Sequence, residues 1–480
     1  MLRLIFFSSV FFFLSLHSFA SSIFSPRDDS TGVSTSATED SSFRKVNFIT
    51  LIGNKKTKRE IILRELILHE DDSLPQNKIN GAIQRSKENL LNTSLFNFVD
   101  IFYKSEGTSI DVIIVVSERW YIWPLPIFEL VDRNLNEWLL TRDFSRTNYG
   151  LYLAVYNFRG RNETLALGFR DGYTKKYSLQ YSIPYVSKNQ KEGISFSVAY
   201  SRNHEIAYNI FNNKLIYFDD DDAYVRKEFY ASAQMTFRRK IYNTFMVRVE
   251  YNNLQLSDTI RVLNPDYLNS HESKQRYSAL TLFFKSDHRD LISYPLHGTY
   301  FDAEYFQRGF DFFGDDVAQS NFYSSFRYYA ELKKNIFFAT GIKGKFSGSS
   351  RQPYNITRAL GYGREYVRGY EYYVVNGQNF LLFKSNLKLR LLPTLVKKFN
   401  FIPSEKFSTI PFSFYLNAFY DIGYVDDQQY FQTNTLSNQL LPGYGIGIDF
   451  ASYYDIVFSV EYSINKFAEK DFFFHFIISI

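Results

Sequence analysis

The chain has 480 residues, a formal net charge of +5 and no cysteine. An exported protein of this length would therefore fold without disulfides, and any metal site would use carboxylates or the seven histidines. Aromatic side chains make up 19% of the sequence, while charged side chains remain at 22%. A soluble domain would have to bury so many rings, whereas a membrane barrel can place them on its lipid face and in its interfacial belts. The small net charge gives no reason to expect a nucleic-acid partner.

The first 20 residues have the features of a secretory signal peptide. A short apolar run with Arg3 near its start ends in Ser18, Phe19 and Ala20, a small-x-small cleavage site. The run is shorter than the roughly 20 residues that a helix needs to span a bilayer, which disfavours a membrane anchor. Residues 21–42 are rich in Ser, Thr and Asp and are expected to form a flexible linker. No other long apolar run follows, so no helical membrane span is expected.

Residues 43–119 have the pattern of a small α+β domain. Thr57 and Glu60 have the spacing of a capping box, which predicts a helix that runs to about Leu68. Pro75 begins a second predicted helix with an apolar face. The predicted strands are residues 46–52, 96–103 and 109–118. The order β-α-α-β-β in so short a segment permits a single core.

From residue 120 onward the sequence changes to strands of roughly 9 to 13 residues with alternating apolar and polar positions, the pattern of a transmembrane β-barrel. In one such strand Lys384, Lys388 and Arg390 share a face, and apolar side chains share the other. An arginine or lysine on the lipid face costs about 2 to 4 kcal/mol at the bilayer midplane, so these charges must face the lumen. About sixteen such segments are present, with mostly long outer connections and tight inner turns, as in outer-membrane barrels.

Two short motifs occur within this barrel pattern. Val367-Arg368-Gly369-Tyr370 lies in the sixth predicted outer loop, and Phe419-Tyr420-Asp421-Ile422-Gly423 lies in the thirteenth predicted strand. Alternation directs Asp421 into the lumen, and an arginine fork can bind a carboxylate bidentately, so we expect Arg368 to fold inward and meet Asp421. The alternative is an exposed loop arginine and a wall aspartate of an ordinary porin. The predicted lumen anchor comprises Val367, Arg368, Gly369, Tyr370, Phe419, Asp421 and Gly423.

The last segment, residues 471–480, is predicted to be the final barrel strand. One of its faces carries Phe472, Phe474, Phe476, Ile478 and Ile480. The segment resembles the C-terminal signal by which barrels are recognised for assembly, although it ends in isoleucine instead of an aromatic residue. In a nearby strand Gly443, Gly445 and Gly447 alternate inward, which barrel curvature alone could explain.

Together these features resemble the BamA/TamA-like barrels of the bacterial surface antigen superfamily. The motif around Arg368 matches the family's sixth extracellular loop, the motif around Asp421 matches its thirteenth strand, and residues 43–119 resemble one POTRA domain. The segment from Asp287 to Gly298 is also similar to a periplasmic turn of the family. The resemblance implies an all-β transmembrane barrel of about 16 antiparallel strands at residues 120–480, with the Val367–Tyr370 loop in its lumen. It further implies an outer-membrane location, with a small α+β POTRA domain in the periplasm.

The resemblance also implies a function in the insertion, assembly or translocation of client proteins. The POTRA domain would receive an unfolded client at a sheet edge. Residues 122–131 and 471–480 would form a weak seam on which a client strand is templated. The implied partners are unfolded outer-membrane or secreted clients, outer-membrane lipid, and accessory periplasmic proteins or lipoproteins. Two alternatives stay open: a passive channel or structural surface barrel, and a dedicated two-partner-type secretion transporter.

The sequence contains no recognisable catalytic constellation. It has no Gly-x-Ser-x-Gly elbow, no His-Glu-x-x-His helix and no Walker loop. The acidic run from Asp219 to Asp222 is interpreted as a solvated outer loop rather than a calcium site. His288 and His297 flank a turn and are interpreted as structural. We therefore expect no enzymatic activity, no cofactor and no metal.

Overall fold

The computed structural model describes residues 43–130, 147–172, 174–220, 222–268, 272–310, 315–349, 351–452 and 454–476. The predicted signal peptide and linker lie outside these residues, as do the last four residues of the chain. Within the described part, no helix combines the length and the apolar character needed to cross a membrane.

The N-terminal part is a four-stranded sheet packed against two helices, in the strand order β2-β1-β4-β3. Its elements are β1 (Phe43–Ile52), α1 (Arg59–Leu63), β2 (Ser73–Pro75), α2 (Gln76–Asn92), β3 (Phe96–Glu106) and β4 (Ser109–Glu118). Strands β1 and β4 run parallel, and the other neighbours are antiparallel. Ile62, Ile79, Leu90 and Ile114 are fully buried between the sheet and the helices. The predicted α+β fold is confirmed, with the short β2 as an additional strand.

The first helix differs from its prediction. It spans Arg59–Leu63 rather than continuing to about Leu68, and no side chain caps its first turn. The Thr57 hydroxyl instead donates to Glu118 at 2.7 Å, and the Thr57 N–H donates to the same carboxylate at 2.6 Å. The Thr57 oxygen accepts a hydrogen bond from Nδ2 of Asn157 at 2.9 Å, so its acceptor is used by the barrel and not by a helix N–H. The capping-box prediction is therefore wrong.

The remainder of the chain is dominated by strands. In chain order these are β5 (Ile122–Leu130), β6 (Thr147–Phe158), β7 (Glu163–Gly172), β8 (Thr174–Ile183), β9 (Glu192–Asn203), β10 (Glu205–Phe211), β11 (Lys214–Asp219), β12 (Arg226–Arg239), β13 (Asn243–Leu256), β14 (Lys274–Asp287), β15 (Gly298–Arg308), β16 (Gln319–Lys333), β17 (Ile336–Ser347), β18 (Arg358–Leu360), β19 (Val375–Asn376), β20 (Asn379–Lys398), β21 (Thr409–Asp426), β22 (Leu440–Ser452), β23 (Val457–Asn465) and β24 (Lys470–Phe476). In the described parts of the connections lie two helices, α3 (Asp258–Leu263) and α4 (Glu405–Ser408), and a 3-10 turn (Tyr354–Ile356).

Sixteen of these strands form one antiparallel sheet, the wall of the barrel. The hairpin β10–β11 and the pair β18–β19 stand outside it. Along β20 the alternation agrees with the sequence: Lys388 is 2% exposed, whereas Leu387 is 48% exposed. The charged side chains therefore face the interior and the apolar side chains face outward, which confirms the predicted barrel.

The two ends of the barrel are built differently. At the end next to the N-terminal domain, here called the near end, several strands are joined by tight turns, as between β16 and β17. At the opposite, far end the longer connections pack together in an apolar cluster. Its buried members are Ile206, Ile210, Val225, Leu254, Leu256, Ile260, Tyr267, Leu268, Tyr354 and Val374. The hairpin β10–β11 contributes to this cluster from a segment that the sequence predicts only as a loop.

The N-terminal domain is joined to the near end by polar contacts. Glu65, 1% exposed, receives two hydrogen bonds from Arg238 of β12, at 2.6 and 2.8 Å. Arg119 pairs with Asp455 at 2.8 Å. The Arg64 guanidinium lies 3.6 Å from the centre of the Tyr185 ring. Desolvation lowers the pKa of Arg64, and the neighbouring Tyr185 and Glu65 oppose this effect.

The contact between Arg238 and Glu65 gives a test of this docking. Loss of the Arg238 guanidinium removes two charge-assisted hydrogen bonds from the buried Glu65 carboxylate and leaves it with Arg64, 3.4 Å away, and truncation of such a buried pair costs about 2 to 5 kcal/mol. The distance between a spin label on the N-terminal domain and one on the barrel can be measured by pulsed electron paramagnetic resonance. We expect Arg238→Ala to broaden the distribution of this distance. The labels can be attached to engineered cysteines because the chain has none of its own.

The adjacent and exposed Arg239 provides the matched control. Arg239→Ala should leave the distribution narrow, and Glu65→Gln combined with Arg238→Ala should be less disruptive than the sum of the single changes. A narrow distribution in Arg238→Ala would contradict a role of this ion pair in docking.

Candidate functional site

Residues 348–378, here called loop 6, connect β17 to β20 and fold into the barrel. Val367, Arg368 and Tyr370 are only 2%, 3% and 4% exposed. The base of the loop is held by Lys345 of β17, whose ammonium group donates to the carbonyl oxygens of Arg358 and Gly377 at 2.9 and 3.2 Å. Loop 6 thus returns to the wall before β20 begins.

Arg368 and Asp421 meet inside the barrel. Nη2 of Arg368 lies 2.6 Å from Oδ1 of Asp421, and Nε donates to Oδ2 at 2.8 Å. The backbone N–H of Arg368 donates to the same Oδ2 at 3.2 Å. Asp421 is fully buried on β21, and the neighbouring inward residue, Phe419, places its ring 3.9 Å from the guanidinium. The guanidinium of Arg368 therefore forms hydrogen bonds with a carboxylate in its plane and a cation–π contact with an aromatic ring on its face.

A second carboxylate completes the surroundings of Arg368. Oε1 of Glu461, on β23, accepts a hydrogen bond from Nη1 at 3.3 Å, and Glu461 is 1% exposed. No sequence motif pointed to this residue. Val460 and Tyr462, on either side of Glu461, face outward. The alternation that predicts an inward Asp421 therefore also predicts an inward Glu461 side chain.

Glycines leave the space that loop 6 occupies. Gly369 has φ +92°, a left-handed conformation that favours glycine. At Gly443, on β22, an added side chain would overlap the carbonyl group of Arg368, and at Gly423 it would meet Val367 and Leu360. Gly443 therefore admits the loop backbone, a role beyond barrel curvature.

The remaining motif residues also contact the wall. The Tyr370 hydroxyl donates to the Pro442 carbonyl at 3.1 Å and accepts the Lys466 N–H at 3.2 Å. Val367 is packed in a buried apolar cluster with Leu360 and Leu441. All four residues from Val367 to Tyr370 thus have defined contacts inside the barrel.

Strands β5 and β24 stand at the two ends of the sixteen-stranded order. In the described part of the chain, β24 pairs with β23 from Lys470 to Phe476, and no pairing joins it to β5. Phe472 and Phe476 are 59% and 64% exposed, whereas Phe473 faces inward and is 1% exposed. Phe474 lies on the same side of the strand as Phe472, and the predicted seam residues Ile478 and Ile480 lie outside the described residues.

A polar network links the anchor to the near end. The Tyr294 hydroxyl, in the connection before β15, donates to Oδ2 of Asp449 at 2.7 Å. Asn417 donates to Oδ1 of Asp449 at 2.7 Å and to Glu461 at 3.4 Å. Tyr294, Asp449, Asn417 and Glu461 therefore form a continuous path of hydrogen bonds that reaches Arg368.

The other candidate residues have local structural contacts. Arg289 binds Asp287 through two hydrogen bonds of 2.8 Å, and His297 lies 3.3 Å from Asp290. The Asp220 carboxylate accepts two backbone N–H groups of its own loop. Among the described residues, no group of histidine, aspartate and glutamate side chains has an arrangement that could hold a metal ion.

Comparison with known families gives two matches. Residues 157–479 match the Omp85 superfamily domain, and residues 44–119 match the surface antigen variable number repeat, the POTRA family. No protein of curated function matches the chain at a significant level.

Solved structures with a similar fold include BamA and CdiB. The crystal structure of BamA from Haemophilus ducreyi lacking POTRA domains 1–3 aligns with a TM-score of 0.51 and 16% identity, over 90% of this chain and 84% of that one. CdiB from Escherichia coli aligns with a TM-score of 0.54 and 10% identity, over 90% and 75% of the two chains. At these identities the alignments establish the fold, and the domain match covers most of the barrel. This chain belongs to the Omp85 superfamily.

Proposed function

We propose that this outer-membrane barrel assists the assembly or translocation of client proteins. The observation that carries the proposal is the buried contact of Arg368 with Asp421 and Glu461, which retains loop 6 inside a barrel whose terminal strands are unpaired with each other in the described residues. A lumen that contains a folded loop is poorly suited to steady passive flow. Membership of the Omp85 superfamily supports the same general function.

The parts of the chain receive the following assignments within this proposal. Residues 1–20 are a cleaved signal peptide, residues 21–42 are a linker, residues 43–119 are a periplasmic POTRA domain, and residues 120–480 are the barrel. The near end then faces the periplasm, and the far end faces the outside of the cell. Accessory periplasmic proteins or lipoproteins would bind on the near side, and outer-membrane lipid would surround the wall.

The POTRA domain offers an edge for an extended client. Its sheet order leaves β3 at one side, where backbone N–H and C=O groups have no strand neighbour among the described residues. Phe102 on this strand is 58% exposed and supplies apolar contact area. Addition of a client strand to such an edge uses main-chain hydrogen bonds, so it tolerates many sequences.

The anchor would set the shape of the wall beside the seam. Arg368 contacts carboxylates on β21 and β23, which are neighbours of β22, and its carbonyl group lies against Gly443 of β22. Loop 6 thereby braces three consecutive strands close to β24. A function of this kind requires binding and strand exchange and no bond-making chemistry, so we propose that the protein is not an enzyme and uses no cofactor.

Substitution of Arg368 tests the anchor. Arg368→Ala leaves two buried carboxylates without their partner, a loss of about 3 to 5 kcal/mol, and we expect loop 6 to leave the lumen more often. Protease digestion of loop 6 in intact cells should accelerate by roughly tenfold or more, and client assembly should fall. Arg364→Ala is the matched control, because Arg364 lies in the same loop and is exposed. Unchanged digestion together with full activity in Arg368→Ala would refute the anchor.

A substitution in the wall tests the same contact without altering a charge. Gly443→Ala places a methyl group where the Arg368 carbonyl lies, so we expect displacement of loop 6 and a reduced yield of crosslink between cysteines introduced at positions 366 and 475. Gly344→Ala is the control, since the atoms nearest its added methyl group belong to the Phe346 ring. An equal crosslink yield in the two variants would show that Gly443 is not needed for loop insertion.

Depletion of the protein tests the function itself. We expect a subset of other outer-membrane or secreted proteins to decrease when the membrane proteome is quantified after depletion. If every other protein kept its normal abundance, and the purified barrel showed a steady, large conductance in planar bilayers, the passive-channel alternative would replace the proposal.

A further inference from the structure

His475 brings the last described strand into contact with loop 6. Its Nδ1 lies 3.1 Å from the Tyr366 hydroxyl, and the two rings are stacked with their centres 5.3 Å apart. On the other side of the ring, Nε2 lies 3.5 Å from Oε1 of Glu371 and 3.4 Å from Oε2 of Glu461. The side chain is 11% exposed. We call His475, Tyr366, Glu371 and Glu461 the His475 cluster.

The cluster is continuous with the anchor. The second oxygen of Glu461 accepts the hydrogen bond from Arg368, and Oε2 of Glu371 accepts the Gly369 N–H at 2.8 Å. The titratable groups in contact with His475 are Tyr366 and Glu371 of loop 6 and Glu461 of β23. The charged groups next to these are Arg368 of loop 6, which pairs with Glu461 and with Asp421 of β21, and Lys384 of β20, whose ammonium lies 4.2 Å from the centre of the Tyr366 ring. Arg368 and Lys384 thus lie among three carboxylates, and a protonated His475 adds a further positive charge.

We propose that His475 holds β24 against loop 6 and that its protonation strengthens this hold. As a terminal strand, β24 depends on β23 for its described backbone pairing, so a side-chain contact with the interior adds a second restraint. The inference rests on the seam role of β24 in the proposed function, because release of this strand would have to break the contacts of His475.

The chemistry of imidazole gives the direction of the pH effect. A neutral ring donates one N–H, and with the Tyr366 hydroxyl donating to Nδ1 that N–H points from Nε2 toward the two glutamates. A protonated ring turns the contacts of Nε2 with Glu371 and Glu461, at 3.5 and 3.4 Å, into ion pairs, and its Nδ1–H then donates to the Tyr366 hydroxyl. A positive charge on the ring therefore tightens the attachment of β24 through Glu371 and Glu461.

Hydrogen exchange of the full-length protein in detergent micelles measures this attachment directly. We expect the amides of β24 to exchange roughly tenfold more slowly at about pH 5.5 than at about pH 7.5, after correction for the intrinsic exchange rate. His475→Gln should abolish the difference. His475→Lys, which keeps a positive charge at both pH values, should give slow exchange at both.

Two further variants make the result specific. Glu371→Gln removes a carboxylate from loop 6 without altering β24, so it should reduce the pH difference even if His475→Gln folds poorly. His69→Gln alters an exposed histidine of the N-terminal domain and should leave the difference unchanged. A pH-independent exchange rate in the wild type, or an unaltered pH difference in both His475→Gln and Glu371→Gln, would overturn the inference. Normal client assembly alongside such a result would leave the proposed function standing, because exchange reports on the strand and not on clients.

Discussion

The interior of this barrel depends on the burial of one guanidinium group. Arg368 remains charged at every physiological pH, so its transfer from water into the lumen is unfavourable unless carboxylates and polarisable groups surround it. Asp421, Glu461 and the Phe419 ring meet this requirement on the edges and on the face of the group. Their positions in turn determine where loop 6 can lie, since the arginine holds the backbone beside it close to β22.

This constraint explains residues that have no charge. The backbone at Arg368 can approach β22 only because position 443 carries no side chain, and Gly369 permits the turn that follows. The hydrogen bonds of Glu461 extend the arrangement through Asn417 and Asp449 to Tyr294 at the near end. A loop that begins at the far end is thereby connected, through side chains of the wall, to the end where the N-terminal domain docks.

The alternation of apolar and polar residues along the strands made the barrel and part of the Arg368 site predictable from the sequence. Alternation identified the barrel and directed Asp421 inward, and the resemblance of the two motifs to those of the family, with the affinity of an arginine fork for a carboxylate, paired it with Arg368. Glu461 and His475 obey the same alternation, but a single charged residue in a strand does not reveal which loop will reach it. The capping-box prediction for Thr57 was wrong because the partners of its hydroxyl, Glu118 as acceptor and Asn157 as donor, lie far away in the sequence. The hairpin β10–β11 was missed because its stability comes from packing with other connections at the far end.

The terminal strands show why contacts in the interior matter for the wall. A strand in the middle of the sheet is held by two ladders of backbone hydrogen bonds, whereas the described part of β24 is held by one. A barrel that receives client strands needs one strand that separates easily from its neighbour. If every strand were held so weakly, the wall would unfold. Contacts between loop 6 and the inner faces of β21, β22, β23 and β24 stiffen the strands beside the proposed seam through side chains, so this stiffening does not depend on the backbone ladder of the wall.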